Sequence, residues 1–381
     1  MTDSATAPVP GSTSNRPEVP PPHLHRHPRL DRARVAAVTT ANRLVAPVMP
    51  KVPDAAKRFM TRSITIDGNT LDSTMQLILA GQKLSGEEGL SAADDPETCR
   101  RNVHQFTQMV DRKRLPVGAV SDLSIPGPAG PIPTRHYRPA NDEVGPLLVY
   151  FHGGGYVIGD LDTVDNLCRM ICRGAGIHVL SVDYRLAPEH PAPAAVEDCY
   201  AAYRWALEHG PELGTRPGVV AVGGDSAGGA LSAVVSRLGR DDGLPPALQL
   251  LLYPWTDQRG GTRSRALFAR GFLLTARDLD WFRGHYLANS ELDVGDPLVS
   301  PVLAPELSGL PRALVITAGF DPLRDKGEAY AVAMRDAGVA VDLRRMCTLV
   351  HGFTNLWPLG GDSAFAMAEI VSALRAHLCD T

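Results

Sequence analysis

A chain of 381 residues, 44% hydrophobic and 21% charged, can fill the core of one large α/β domain with insertions or of two small ones. Its formal net charge of −4 argues against nucleic acid or an anionic membrane as the main partner. Six cysteines (Cys99, Cys168, Cys172, Cys199, Cys347 and Cys379) show no CxxC and no zinc-type Cys/His spacing, so a reduced, intracellular setting is expected.

Residues 1–28 are rich in Pro, Ser and Thr and are expected to form a disordered tail, with His23, His25 and His27 solvated in it. Residues 1–9 lack a basic n-region and an apolar h-region, so no signal peptide is expected. Nor is there an apolar run of about 18 residues, the minimum for a span. From 29 to 60, basic residues alternate with Ala/Val runs, and Pro47, Pro50 and Pro53 limit the stretch to one or two short helices. Such a helix would graze a membrane surface or cover the mouth of a site. Residues 71–80 and 98–110 carry apolar side chains at helical spacing, with Asp94-Asp95-Pro96-Glu97 as a helix start between them. Residues 120–139 alternate around a Gly/Pro turn and predict an antiparallel hairpin.

From residue 147 strands and helices alternate. Continuous apolar runs at 147–151, 178–182, 219–222, 248–253 and 313–317 read as buried parallel strands. Helices are predicted over 162–174, 194–209, 227–240 and 325–337, and a strand at 340–345 and a helix at 364–378 close the chain. This pattern is a doubly wound sheet covered on both faces. About sixty residues separate the strands at 248–253 and 313–317, too many for a simple crossover. A helix over 278–287 within that insertion, together with residues 71–118, is expected to form a lid.

The chemistry centres on Gly224-Asp225-Ser226-Ala227-Gly228, which stands between a buried strand and a helix-forming run. That order is what a nucleophile elbow requires: Ser226 at a strained tip, with glycines allowing strand and helix to cross closely. The helix that follows turns its N–H groups and dipole toward the reacting centre. His152-Gly153-Gly154-Gly155-Tyr156 follows directly on the strand at 147–151. Two of its N–H groups, with that of Ala227, would cradle a developing oxyanion. The competing reading, a phosphate-binding loop, lacks both GxGxxG and a following Lys-Ser/Thr. Asp321 and His351 each follow a strand at the same edge of the sheet, so Ser226, Asp321 and His351 occur in α/β-hydrolase order. Asp325 starts a helix and reads as a charge stabilising its dipole.

The chain resembles a carboxylesterase of the hormone-sensitive-lipase family, a branch of the α/β-hydrolase superfamily, from about residue 63 to the C-terminus. The resemblance rests on His152-Gly-Gly-Gly-Tyr156, Asp183-Tyr-Arg-Leu-Ala-Pro-Glu189, Gly224-Asp-Ser-Ala-Gly-Gly229, Asp321-Pro-Leu-Arg-Asp325 and His351-Gly-Phe353. It implies an α/β-hydrolase fold: a mostly parallel, eight-stranded sheet flanked by helices, with a helical cap. The expected layout is a Pro-rich extension at 1–62, cap helices at 63–118, and a catalytic domain at 119–381 with a cap insertion at about 257–300. The resemblance further implies catalytic Ser226, Asp321 and His351, and oxyanion donors at Gly153, Gly154 and Ala227. Tyr184, Arg185 and Glu189 would brace the loops beneath the site. The implied reaction is hydrolysis of short- to medium-chain acyl esters through an acyl-enzyme, with no metal and no organic cofactor. Expected partners are a small-molecule ester and no nucleic acid, without stable membrane insertion, and a homodimer is allowed. The expected location is cytoplasmic, with attachment at a membrane or cell envelope as the alternative. An amidase, a formamidase or an acyltransferase on the same triad remains open, as does a non-catalytic receptor on the same fold.

Overall fold

A computed structural model describes residues 48–379 apart from 86, 87, 92, 94, 142 and 143. The expectations for the tail at 1–28 and for residues 29–47 lie outside the described residues. A short helix α1 (Asp54–Met60) precedes a two-stranded ribbon, β1 (Thr65–Ile66) and β2 (Asn69–Thr70). Two longer helices follow, α2 (Ser73–Ser85) and α3 (Pro96–Val110). The start of α3 is set locally: the Asp95 carboxylate accepts the Thr98 N–H at 3.0 Å, and Pro96 takes a first-turn position where no N–H is missed.

The central sheet has eight strands. They are β3 (Ala119–Ile125), β4 (Ile132–Arg138), β5 (Gly145–Phe151), β6 (His178–Val182), β7 (Thr215–Asp225), β8 (Gln249–Leu252), β9 (Ala313–Phe320) and β10 (Val341–Val350). Their spatial order is β10-β9-β8-β7-β5-β6-β4-β3. The hairpin β3–β4 and the β4–β6 pair are antiparallel and the other pairs parallel. Successive side chains of the parallel strands enter different cores because the strand period is two. Leu148 and Tyr150 join a core with α4 (Asp165–Ala175) and α10 (Asp362–Cys379), the last helix. Leu147, Val149 and Phe151 join the opposite core with α5 (Ala194–His209) and α6 (Ala227–Asp241). Helix α9 (Arg324–Asp336) packs Tyr330, Ala331 and Met334 against Leu251 and Val315. Burial on both faces is why these strands read as unbroken apolar runs.

Between β8 and β9 the chain forms α7 (Arg263–Leu267) and α8 (Ala276–Leu287). Strand β10 runs past its expected end to Val350, because its pairing with β9 shifts through a bulge between Met346 and Val350. Among the described residues no helix is long and apolar enough to cross a membrane.

Strand β4 carries a buried histidine, His136, whose ring stacks on His178 at 5.2 Å with Nε2 and Nδ1 3.0 Å apart. Burial, reinforced by the neighbouring His178, pushes its pKa down to about 4. The folded state therefore holds His136 neutral, while the unfolded chain takes up a proton below about pH 6.5. Stability is unaffected by this group above pH 6.5 and falls as the pH drops from 6.5 to 4, by about 3 kcal/mol in all. Urea unfolding at pH 7 and 4.5 measures the loss, and His136→Leu is expected to flatten that pH dependence. An unchanged slope in the variant would place the acid sensitivity elsewhere.

Candidate active site

The sheet reverses its order around β5, whose neighbours are β6 and β7, and such a reversal opens a crevice at the carboxyl ends of the strands. Register decides what meets there. Phe151 lies opposite Gly224, so the glycine loop after β5 and the turn after β7 leave the sheet side by side. Val350 lies opposite Phe320, so Asp321 and His351, the next residues, also leave together. The bulge in β10 thus re-aims the chain that carries His351.

Ser226 has φ 56° and ψ −115°, a strained backbone for a residue with a Cβ, and precedes the first residue of α6. The crossing beneath it requires glycine. A Cβ on Gly228 would stand 1.9 Å from the Phe151 carbonyl oxygen, and one on Gly224 2.2 Å from the same atom. The Ser226 hydroxyl donates to His351 Nε2 at 2.9 Å, and His351 Nδ1–H donates to Asp321 Oδ2 at 2.8 Å. The two partners assign the imidazole tautomer. Asp321 is fully buried, with its other oxygen accepting the Leu323 N–H at 2.7 Å. Ser226 and His351 retain 9% and 4% exposure, enough to face a cavity. The Tyr253 ring lies 4.6 Å from the imidazole, and its hydroxyl hydrogen-bonds Thr354. Asp325 instead accepts the Ser264 N–H at 2.7 Å and pairs with Arg324, which ties α7 to α9.

The glycine loop differs from expectation at one position. The Gly153 N–H donates to Asp225 Oδ1 at 2.9 Å and is spent, so Gly153 is not free to bind an oxyanion. The same oxygen accepts the Tyr150 hydroxyl at 2.8 Å. Burial raises the Asp225 carboxyl above its ordinary range, opposed by these two hydrogen bonds. The N–H groups of Gly154, Gly155 and Ala227 donate to no described protein group. The sequence reading singles out Ser226 and assigns its neighbour Asp225 no role. The available signal was a carboxylate leaving a buried strand beside a tyrosine whose hydroxyl needs a partner.

Tyr184, Arg185 and Glu189 make bracing contacts. Tyr184 donates to the His152 carbonyl at 2.7 Å, and Arg185 binds Asp198 through Nε and Nη2. Glu189 pairs with Arg100 of α3, whose Nε also donates to the Val157 carbonyl at 2.8 Å. Arg100 holds the Glu189 carboxyl down at about 2. These contacts pin α3 to the loop that carries the glycines.

Ser226, His351 and Gly153–155 open into a cavity of about 140 Å³. Its apolar wall comes from Leu90, Val103, Phe106, Trp255, Leu273, Leu274, Leu279 and Phe282. The expected lid residues at 71–79 are not among the lining residues. Leu71 and Met75 are buried in the core that includes α10, and Leu77, Ile78 and Leu79 pack on it. Their helical periodicity reports a buried stripe without saying what buries it.

A family model described as alpha/beta hydrolase fold matches residues 148–355. "Carboxylic ester hydrolase LipN" of Mycobacterium tuberculosis is 55% identical over 360 residues, covering 92% of this chain and 95% of that protein. "Carboxylesterase NlhH" of the same species is 41% identical over 297 residues, covering 76% and 91%. Among solved structures, the ester-hydrolase EH1AB1 from the metagenome of Lake Arreo superposes with a TM-score of 0.75 at 38% identity. That match covers 80% of this chain and 96% of the other.

Proposed function

The chain belongs to the hormone-sensitive-lipase-like family of the α/β-hydrolase superfamily and is a carboxylic ester hydrolase, and we propose that it works through an acyl-enzyme on Ser226. The observation that carries this reading is the unbroken relay Ser226–His351–Asp321, at 2.9 and 2.8 Å, opening on an apolar cavity. Ser226 Oγ attacks the ester carbonyl while His351 Nε2 takes its proton. Asp321 holds the tautomer and stabilises the imidazolium. The oxyanion is received by the N–H groups of Gly154, Gly155 and Ala227, which donate to no acceptor among the described residues. Gly153 serves instead as the anchor that holds this loop to Asp225. His351 returns its proton to the departing alkoxide, and a water then repeats the sequence to free the acid.

The acyl chain occupies the space under Phe106, Leu274 and Phe282. An apolar cavity of about 150 Å³ accepts a molecule the size of benzene, so this one suits a short to medium chain. Each methylene buried there adds up to about 0.8 kcal/mol until the space is full, and further carbons gain nothing. p-Nitrophenyl esters of about four to eight carbons are therefore expected to give the highest kcat/KM, with a fall by about sixteen carbons and no jump in rate at the substrate's solubility limit. A preference for emulsified long-chain triglycerides, with activation at the interface, would refute the reading of a small acyl cavity.

A further inference from the structure

The roof of the cavity is made by two pieces of chain far apart in sequence. One runs through residues 88–91 into α3 and contributes Leu90; the other is 273–282, which contributes Leu274 and Phe282. Between them sits the carboxylate of Asp278, 1% exposed. One oxygen, Oδ2, accepts the Thr275 N–H at 2.8 Å and its hydroxyl at 2.7 Å, closing the capping box that starts α8. The other, Oδ1, accepts from the opposite piece: the Leu90 N–H at 3.0 Å, the Ser91 N–H at 2.8 Å and the Ser91 hydroxyl at 2.6 Å. A helix cap needs only the first set. The second set is long-range, and it satisfies backbone donors of an irregular segment where Ser91 is buried away from water.

Gly89 supplies an independent sign that the two pieces are drawn together here. A Cβ on it would stand 2.4 Å from Asp278 Oδ2, so only glycine permits this separation. Leu90 lies next to Gly89 in the chain, and Leu279 next to Asp278, and both line the cavity.

We propose that Asp278 is a positioning residue that staples the two halves of the cap and thereby sets the acyl length the enzyme accepts. The proposal rests on the acyl-cavity reading above. A carboxylate is suited to the role because both of its oxygens can accept, and all five of its partners are donors. An amide in its place turns an NH₂ toward N–H donors on one side or the other, so one half of the cap must move away. Short acyl chains, held by the triad and the glycine loop, depend little on the roof. Longer chains depend on it for their apolar contact.

The test is the ratio of kcat/KM for p-nitrophenyl octanoate to that for the acetate, measured in the wild type, Asp278→Asn, Gly89→Ala and Ser91→Ala. The expected result is a fall in the ratio of about tenfold for Asp278→Asn and Gly89→Ala, since about 1.4 kcal/mol of lost contact is a factor of ten. A fall of about threefold is expected for Ser91→Ala, which removes one donor of the five without adding bulk. A purely structural role would lower the melting temperature and scale both esters equally, and an unchanged ratio in Ser91→Ala together with either other variant would overturn the proposal. Should the two severe variants fail to fold, Ser91→Ala decides alone. A wild type that shows no preference for medium over short chains would refute the cavity reading itself, a separate outcome from an unmoved ratio.

Discussion

Ser226→Ala is expected to reduce ester hydrolysis by about 10⁶ in kcat, the loss seen when the nucleophile of a triad is removed. No other hydroxyl stands within hydrogen-bond distance of His351 Nε2 among the described residues. The residual rate would come from the oxyanion donors and from substrate binding alone, because those groups do not depend on the serine side chain. Alanine at this position keeps the positive φ of 56°, and the strain it inherits is that of the native residue. Fold and cavity should therefore persist, and circular dichroism together with an unchanged melting profile would establish that they do. A fluorophosphonate probe should label the wild type on the peptide carrying Ser226 and leave the variant unlabelled. Retention of more than a few per cent of turnover at equal fold would remove Ser226 from the mechanism.

Replacing Asp321 by Asn is expected to cost about 10⁴ in kcat with little change in KM. The Asp321 carboxylate accepts from His351 Nδ1 at 2.8 Å and from the Leu323 N–H at 2.7 Å. An amide can satisfy one of those donors with its oxygen. Its NH₂ then faces the other, and an imidazole turned to the Nε2–H tautomer cannot take the serine proton. The neighbouring Asp325→Asn makes the control. That carboxylate caps the Ser264 N–H at 2.7 Å and lies in the first turn of α9, so its loss should lower stability by about 0.3–1 kcal/mol and leave turnover nearly intact. Steady-state kinetics on both variants, beside their urea midpoints, checks the ranking. A larger kcat loss in Asp325→Asn would transfer the catalytic role to that residue.

Chain order and strand ends made most of this site legible. The runs at 147–151, 219–222 and 313–317 are apolar without alternation because both faces of a parallel sheet are covered. Reactive residues that follow such runs must emerge at one edge. Ser226, Asp321 and His351 could be named from that logic, and Gly224 and Gly228 could be read as a close crossing because nothing but hydrogen fits there. A local hairpin is also signalled in the sequence: Asp67-Gly68, both at positive φ, joins β1 to β2, and Asp-Gly between extended residues favours a tight turn.

Other features depend on which distant segments meet, and nothing local to them carries that information. Three successive glycines present three equivalent N–H groups in the sequence. Only the register of Phe151 against Gly224, which brings Asp225 to Gly153, decides that the first is spent and the next two are not. The apolar stripe of 71–79 is a property of the sequence, but its burial in the core with α10 rather than over the cavity follows from how the N-terminal helices dock. Asp278 reads as an ordinary capping residue for α8 until residues 88–91 arrive from nearly two hundred positions away. Short-range chemistry, set by strand burial and turn geometry, is written in neighbouring residues and can be read there. Contacts between distant segments arise from the docking of whole elements, where many weak apolar contacts choose the arrangement and each polar group takes the partner that the arrangement leaves it.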